Sequence, residues 1–240
     1  MTAADEEEEE MRVFVTGGTG YLGTRLIGLL LDRRHRVRAL ARPESIHRLP
    51  PGAGLALGDA LDADSYADSV RTFDTLVHLV GTPRPDPRKA RQFREVDLAS
   101  AREAVRAARE AGVRHLVYVS VAHPAPVMQA YVQARMEAEE MVRASGIPAT
   151  VLRPWYVLGP GHRWPYLLVP AYAVAARLAS TRETARRLGL VTLRQMVRAL
   201  AAAVEDPPAD GVRVLDVPTI RAATLAAPPR RQTAASPVLA

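Results

Sequence analysis

The chain has 240 residues and a formal net charge of +6, and 48% of its residues are hydrophobic, which is enough for one large domain with a substantial core. It contains no cysteine, which excludes disulfides, thiolate nucleophiles and cysteine-ligated metals. The positive charge comes almost entirely from arginines spread along the chain, a pattern that argues against nucleic-acid binding. No apolar run reaches the roughly 18 residues of a membrane span, and we expect a cytoplasmic protein without a metal site.

Both ends of the sequence predict disordered tails. Residues 1–10 end in an acidic run, Asp5–Glu10, that has nothing to bury. Residues 219–240 are rich in alanine, proline, threonine and arginine and show no apolar periodicity. We therefore expect the folded domain to lie within residues 11–218.

A glycine-rich turn separates the first predicted strand, Val13–Val15, from a segment with helical periodicity. The turn fits the dinucleotide-binding pattern in two registers, one beginning at Gly17 and one at Gly18. One glycine of this pattern allows a tight turn, one lets backbone N–H groups approach a pyrophosphate, and one lets the helix pack closely on the sheet. The predicted cofactor contacts are Gly17, Gly18, Thr19, Gly20, Tyr21, Leu22 and Gly23.

The second predicted strand, Arg36–Ala41, ends where the adenosine ribose is expected. NAD enzymes place an acid there to hold the 2′-hydroxyl, whereas NADP enzymes bring an arginine. Arg42 follows the strand directly, and the nearest acid, Glu44, lies beyond Pro43. Because a guanidinium can hold a 2′-phosphate through paired hydrogen bonds, the sequence favours NADP(H) over NAD(H). The alternative is that Arg42 is one more surface arginine.

The third predicted strand, Leu55–Leu57, also leads to candidate cofactor contacts, Asp59 and Ala60. Asp59 is placed either to accept a hydrogen bond from an adenine amino group or to cap a helix that begins near residues 62–64. The sequence does not choose between these two roles.

The fourth predicted strand, Leu76–Val80, runs into Gly81, so its last residue and Gly81 are expected near the cofactor. Val80 is therefore a predicted contact. His78, within the strand, is expected to pack rather than to catalyse, because no partner is evident. A long amphipathic helix is predicted over Ala90–Ala111, followed by a glycine suited to ending it.

The fifth predicted strand, His115–Ser120, continues a regular alternation of strands and helices. Such alternation predicts a doubly wound parallel sheet, the α/β Rossmann fold. Ligands of these sheets bind at the carboxyl ends of the strands. The residues Gly17, Asp59, Gly81 and Ser120 are all expected at that edge.

The helix after Ser120 carries Tyr131 and Arg135, which are one turn apart and therefore share a face. A fixed cation can lower the pKa of a nearby phenol, so that a tyrosine serves as an acid or base while Ser120 holds the substrate oxygen. Taken alone, however, such a pair is more often structural than catalytic.

Beyond the sixth predicted strand, Ala149–Leu152, the chain is expected to cover the site. Residues 155–165 contain two prolines and two glycines and predict a loop. Residues 166–179 predict an apolar helix over the substrate pocket, with a protein-partner or membrane-surface role as the alternative. A helix over Leu193–Val204 and a strand over Val212–Val217 follow. We expect a small C-terminal substrate cap from about residue 153.

Several motifs together resemble one protein family. They are the glycine-rich turn at 17–23, Gly58-Asp59, Val117–Ser120, Tyr131-x-x-x-Arg135, Leu152–Pro154 and Gly159–Gly161. In this combination the chain resembles the short-chain dehydrogenase/reductase superfamily, in particular its atypical, NmrA-like branch, which includes the dinucleotide-binding accessory subunit of respiratory complex I. The resemblance covers about residues 11–218 and implies an NAD(P)-binding Rossmann domain.

By this resemblance Tyr131 stands at the position of the superfamily's catalytic tyrosine, Ser120 at that of its serine, and Pro154 where the backbone runs against the nicotinamide. The essential lysine four residues after the tyrosine is Arg135 here. Arginine supplies charge and hydrogen bonds to the nicotinamide ribose, but it does not release a proton at working pH. The superfamily's asparagine early on the long helix is absent, and Asp97 lies nearest.

Three functions are compatible with this pattern. The first is an NADP(H)-dependent oxidoreductase for a small carbonyl or hydroxyl compound, with Tyr131, Ser120 and Arg135 as catalytic residues. The second is an NADP(H)-binding redox sensor, assembly factor or structural subunit without turnover, which Arg135 favours. The third, a sugar-nucleotide epimerase or dehydratase, needs a larger substrate domain than the residues after Pro154 provide.

Overall fold

A parallel sheet of seven strands forms the centre of the computed structural model, which describes residues 10–83, 85–160 and 187–225. A second parallel sheet contains two strands, β7 and β8. The strands are β1 Arg12–Thr16, β2 Arg36–Ala41, β3 Gly54–Leu57, β4 Thr75–His78, β5 His115–Val119, β6 Ala149–Leu152, β7 Tyr156–Leu158, β8 Leu190–Thr192 and β9 Val212–Leu215.

Helices connect these strands within the described residues. They are α1 Gly23–Asp32, α2 Ala67–Val70, α3 Ala90–Gln92, α4 Ala99–Ala111, α5 Gln129–Ala144, α6 Leu193–Glu205 and α7 Val217–Ala222. Short 3-10 helices occur at Pro43–Arg48, Ala63–Ser65 and Pro87–Lys89, and a π-helical turn occurs at Phe93–Leu98.

The large sheet has the order β3-β2-β1-β4-β5-β6-β9, with every neighbouring pair parallel. The chain steps outward from β1 to β3 and then returns to the other side of β1 with β4. The strand order therefore reverses between β1 and β4, which is where open α/β sheets bind ligands. This topology confirms the predicted doubly wound Rossmann fold.

Each central strand is buried on both faces, as strands covered by helices on both sides must be. Val13 and Val15 of β1 enter one hydrophobic core, whereas Phe14 between them enters the other. Helices α1 and α6 supply apolar side chains to the first core, and α4 and α5 supply them to the second. Burial on both faces explains why these strands are continuously apolar in sequence.

The helix predicted over Ala90–Ala111 is interrupted. After the short α3, the chain forms the π-helical turn Phe93–Leu98 before α4 continues. This turn buries Asp97 completely (0% exposed). π-Helical turns are rare and are often found at functional sites. Gly112 ends α4 in the left-handed region (φ +69), as predicted.

The structure corrects the predicted boundary of the C-terminal tail. Residues 219–240 do not form a tail from their start, because Val217–Ala222 form α7. The side chain of Asp216 caps this helix, and Ile220 is completely buried in the first core. Accordingly β9 ends at Leu215, whereas the predicted strand extended to Val217. A helix this short gave too little apolar periodicity to be recognised in the sequence.

Two elements that the sequence placed in a substrate cap from about residue 153 belong elsewhere in the structure. Helix α6 packs into the first core and β9 extends the large sheet beside β6, so both belong to the Rossmann body. The predicted loop 155–165 contains β7, which pairs with β8. The predicted apolar helix 166–179 lies outside the described residues. Among the helices in the described ranges, none combines the length and the apolar character that crossing a membrane requires.

Candidate cofactor-binding and active site

The predicted site residues follow the carboxyl ends of neighbouring strands, so the fold brings them to one edge of the sheet. They are Gly17 after β1, Arg42 after β2, Asp59 after β3, Gly81 after β4, Ser120 after β5 and Pro154 after β6.

The glycine turn is built in the register that begins at Gly17. Gly17 has φ +74, and a Cβ atom there would lie 2.8 Å from the Leu79 carbonyl carbon and 2.9 Å from the Val80 nitrogen. A Cβ atom at Gly23 would overlap the carbonyl oxygen of Gly17. Gly17 therefore makes the tight turn against β4, and Gly23 allows α1 to approach the turn. Gly18 instead packs against β2, since its Cβ would lie 2.7 Å from that of Ala39.

The open part of the turn fits a pyrophosphate. Gly20 is exposed, and its N–H donates to the carbonyl of Gly17 (3.0 Å). At the start of α1, Leu22 provides no side-chain cap and the first turn contains no acid. The positive end of the helix dipole is therefore available to an anion. The pyrophosphate contacts of the glycine turn stay a prediction.

Replacing Gly17 with alanine is expected to weaken NADPH binding about tenfold or more, because displacing the turn loses charge-assisted hydrogen bonds to the pyrophosphate. Gly112→Ala is the matched control: Gly112 also has positive φ, but nothing lies within 4 Å of its added Cβ. Both variants incur about 1–2 kcal/mol from the left-handed backbone. A fluorescence titration with NADPH in which both variants bind alike would contradict the assignment of the turn.

The adenosine end of the site contains Arg42 and Asp59. The Arg42 side chain is 65% exposed, and its Nε lies 3.2 Å from Oε1 of Glu44. Such an exposed pair is weak and can open for a stronger anion. Asp59 Oδ1 accepts from the Leu61 N–H (3.0 Å), whereas Asp62 caps the following 3-10 helix. Asp59 is therefore not the helix cap that the sequence allowed, and the adenine contact stays a prediction.

Other predicted contacts line the same edge. Thr19, Tyr21, Leu22, Ala60 and Val80 are all partly buried.

The backbone after β6 is held in place by the segment that follows β5. The carbonyl of Pro154 accepts from the Ala122 N–H (2.9 Å). A Cβ at Gly159 would overlap the Tyr21 hydroxyl, so the glycine turn contacts the segment after β7. The glycine turn and the chain beyond β6 are thus packed against one another.

Arg135 occupies a buried space between the ends of β4 and β5. Its Nη2 donates to Asp97 Oδ1 (2.6 Å), and its Nη1 donates to the carbonyl of Val119 (2.8 Å). Asp97 Oδ2 also accepts from the backbone N–H and the hydroxyl of Thr82, at 3.0 and 2.5 Å. A Cβ at Gly81 would overlap Arg135 Nη2, so only glycine leaves room for this guanidinium.

The environment of Arg135 makes it a fixed cation. Burial alone would lower its pKa, but Tyr131, Tyr118 and Asp97 outweigh that effect and raise it. Its Cζ lies 5.3 Å from the ring centre of Tyr131 and 5.8 Å from that of Tyr118. Because burial also raises the pKa of Tyr118 to about 12, this tyrosine stays neutral in the core.

Tyr131 is the tyrosine on Arg135 that solvent or a substrate can reach, because it is partly exposed whereas Tyr118 is buried. Its ring lies 5.0 Å from that of Phe93, which belongs to the π-helical turn. The structure therefore brings Tyr131 and Arg135 together as the sequence predicted. It also adds Asp97, which the sequence had noted only as the residue nearest a missing asparagine.

Ser120 belongs to a second buried cluster, centred on Glu139. The Ser120 hydroxyl is buried, makes no well-formed hydrogen bond within the described residues, and lies beside Glu139. Glu139 accepts from Arg153, Arg143 (3.0 Å) and His123 (3.3 Å). Burial alone would raise the pKa of Glu139, but Arg153 and its other partners lower it overall.

Glu139 is not among the residues that the sequence singled out. The signal that could have shown it is the spacing of Arg135, Glu139 and Arg143, because alternating charges on the face that α5 buries must be paired. The cluster connects the ends of β5 and β6.

His78 is a structural residue, as predicted. It is 1% exposed, its Nδ1 lies 2.8 Å from the Thr16 hydroxyl, and its Nε2 lies 3.3 Å from the Ser100 hydroxyl. Burial lowers its pKa to about 3, with a smaller contribution from Arg135, so the imidazole is neutral. It links β1, directly before the glycine turn, to the start of α4.

Comparison with known proteins places this geometry in a family. Residues 17–170 match a family model described as NAD(P)H-binding. The 3 beta-hydroxysteroid dehydrogenase/Delta 5-->4-isomerase of Mycobacterium tuberculosis is 35% identical over 45% of this chain and 31% of its own length. A ceramide reductase of Caulobacter vibrioides is 30% identical over 62% of this chain and 47% of its own. A 3-diazoavenalumate denitrifying reductase of a Streptomyces species is 33% identical over 63% of this chain and 58% of its own length. The chain therefore spans less than two thirds of the length of each of these relatives.

Solved structures share the fold. The Bordetella bronchiseptica enzyme WbmH in complex with NAD+ has a TM-score of 0.64 and 19% identity, covering 86% of this chain and 75% of that one. The UDP-glucose 4-epimerase of Thermus thermophilus in complex with NAD has a TM-score of 0.62 and 19% identity, covering 88% of this chain and 81% of that one. At this identity the likeness concerns the fold alone.

Proposed function

The chain belongs to the NAD(P)H-binding family, as an atypical short-chain dehydrogenase/reductase-like protein. On this basis we propose that it is an NADP(H)-dependent oxidoreductase for a small, apolar carbonyl or hydroxyl compound. The observation that carries the proposal is the position of Tyr131. It is partly exposed beside the buried cation Arg135, at the edge of the sheet that holds the glycine turn. A phenol beside a fixed cation is suited to proton transfer.

Each catalytic residue has a stated role in this proposal. A bound nicotinamide supplies or accepts the hydride. The Tyr131 hydroxyl gives a proton to the substrate oxygen during reduction and takes it back during oxidation. Arg135 holds positive charge beneath the tyrosine ring and is the candidate for binding the nicotinamide ribose. The Ser120 hydroxyl is the candidate for orienting the substrate oxygen.

The relatives support an apolar substrate, since their names include a hydroxysteroid dehydrogenase and a ceramide reductase. The test is to follow NADPH oxidation with long-chain ketones and NADP+ reduction with hydroxysteroids. Turnover with one of these classes supports the proposal. Absence of turnover with both, at saturating cofactor, contradicts it.

Arg42 is proposed to select NADP(H). Arg42→Gln is expected to weaken NADPH binding by about 10- to 100-fold, because charge-assisted hydrogen bonds to the 2′-phosphate contribute about 1.5–3 kcal/mol. NADH binding should be unchanged. Arg48→Gln, which removes an exposed arginine from the 3-10 helix that Arg42 precedes, is the control. Equal loss of NADPH and NADH affinity in Arg42→Gln would show that Arg42 does not read the 2′-phosphate.

A second candidate function is NADP(H) binding without turnover. The observation that favours it is that both terminal nitrogens of Arg135 already donate to Asp97 and Val119. Arginine also cannot copy the proton relay of a lysine. NADPH binding without hydride transfer to any compound of the panel would favour this function. The epimerase neighbours share the fold and do not by themselves extend the proposal to sugar nucleotides.

A further inference from the structure

A cavity of about 690 Å³ lies at the amino edge of the sheet, opposite the glycine turn. Its lining comes from the starts of β4 and β5, from the residues that follow α1 and α6, and from Glu10, Met11 and Pro148, which precede β1 and β6. Nothing in the proposed oxidoreductase function uses this cavity. Its volume is in the range of small-molecule sites.

Two buried polar atoms in the cavity wall have no hydrogen-bond partner among the described residues. They are the Thr75 hydroxyl and His115 Nδ1, on residues that are 0% and 2% exposed. Thr75 and His115 are paired neighbours at the first positions of β4 and β5. Buried polar groups are nearly always paired, because leaving one unpaired carries a desolvation penalty. Two such atoms on paired neighbouring residues therefore indicate a missing polar partner.

The imidazole of His115 is suited to a neutral partner. Its Nε2 lies 3.1 Å from the Thr150 hydroxyl, and burial lowers its pKa to about 4. At neutral pH it is uncharged, so Nδ1 either donates or accepts one hydrogen bond, depending on the tautomer. A hydroxyl group both donates and accepts hydrogen bonds, so it can pair with Nδ1 in either tautomer. It can also pair with the hydroxyl of the neighbouring Thr75.

Three carboxylates line the cavity, and each has an arginine partner. Glu205 is paired with Arg33 and His35, and Asp74 with Arg114. Because Arg12 and Arg36, outside the lining, also pair with Asp74 and Glu10, arginines outnumber carboxylates around the cavity within the described residues. Hydrogen bonds from arginine lower the pKa of Asp74 to about 2, so it is ionised.

Arg34 supplies positive charge that no carboxylate of the described residues balances. It lines the cavity with a left-handed backbone (φ 69), and its guanidinium has no ion-pair partner within the part of the chain that the structure describes. Guanidinium groups bind carboxylates and phosphates through paired hydrogen bonds.

We propose that this cavity binds a small organic oxyanion that also carries a hydroxyl group. Arg34 and Arg114 hold the oxyanion at the rim, and Thr75 and His115 hold the hydroxyl in the interior. The site is separate from the cofactor site, because the two lie at opposite ends of the same strands. Its occupant would stabilise the folded protein without competing with NADPH.

Citrate and tricarballylate provide a matched pair of probes, since they share three carboxylates and differ by one hydroxyl. Binding is measured by calorimetry and by the shift in Tm, with NADPH present at saturation and sodium chloride at equal ionic strength as the blank. We expect citrate to bind about tenfold more tightly than tricarballylate, because one hydroxyl supplies the missing hydrogen bonds.

Two variants locate the binding. Thr75→Val keeps the shape and removes only the unpartnered hydroxyl, so it should leave the unliganded Tm unchanged or raised while abolishing the preference for citrate. Arg34→Gln should weaken both probes about tenfold through loss of a charged partner, whereas Arg48→Gln should not.

Three results would overturn the proposal if they hold both in the full chain and in a variant lacking residues 2–9: no effect beyond the sodium chloride blank, equal binding of both probes, or binding that is unchanged in Thr75→Val and Arg34→Gln, which would indicate an adventitious ion only. A variant lacking residues 2–9 tests whether the chain's own acidic segment competes. Citrate binding that appears or tightens in that variant, and that Thr75→Val weakens, supports the site.

Discussion

Replacing Asp97 with asparagine is expected to lower the free energy of unfolding by about 3–5 kcal/mol, because it leaves the buried Arg135 cation without its counter-charge. Asp97 is completely buried and Arg135 is 5% exposed, so water cannot replace the lost carboxylate. The two are joined by a hydrogen bond of 2.6 Å, and Asp97 also anchors Thr82. Urea denaturation followed by circular dichroism measures the change.

Two companion variants show whether the buried pair causes the effect. Asp68→Asn removes a carboxylate that pairs with Arg71 on the surface and should change stability by less than about 1 kcal/mol. The double variant Asp97→Leu/Arg135→Met removes both charges and should recover most of the loss, because well-packed apolar residues can replace a buried ion pair. An Asp97→Asn protein as stable as Asp68→Asn would mean that Arg135 is not held by Asp97.

Tyr131→Phe is expected to lower kcat by about 10²–10⁴-fold, the usual contribution of a positioned proton donor. The ring stays in place against Phe93 and over Arg135, and only the hydroxyl is lost. NADPH affinity should therefore be preserved. The measurement is steady-state turnover with the substrate found in the panel, together with the NADPH titration.

Tyr118→Phe is the matched control, because Tyr118 also contacts Arg135 but is buried in the sheet. It should lower stability slightly, through loss of the long hydrogen bond from Arg135 (3.4 Å), and leave kcat nearly unchanged. Turnover of Tyr131→Phe at the wild-type rate would remove Tyr131 from the mechanism.

Much of the fold could be predicted because local patterns and burial agree. Apolar runs such as Val13–Val15 and the alternation of strands with helices are sufficient to indicate a parallel sheet. The last elements were harder because their character depends on partners distant in sequence. β7 pairs with β8 across an intervening segment, and α7 is stabilised by burial of Ile220 rather than by periodicity.

The candidate site, too, could be predicted from the sequence only in part. The glycine spacing predicts the cofactor turn, but only distances across the fold show that Gly17, and not Gly18, makes the turn against β4. The pairing of Asp97 with Arg135 was not readable, because it depends on a π-helical turn that apolar periodicity does not encode. Nor does the sequence identify the charged cluster around Glu139, whose partners come from three separate segments.

The position of β9 has a consequence for synthesis on the ribosome. β6 lies between β5 and β9, so a nascent chain that has not yet exposed residues 212–215 carries β6 as an open strand edge. The core beneath α1 is likewise incomplete until α6 arrives from a distant part of the chain. An unpaired edge of apolar strand is a site of aggregation. The glycine turn is translated well before β9, the strand that completes the sheet supporting it.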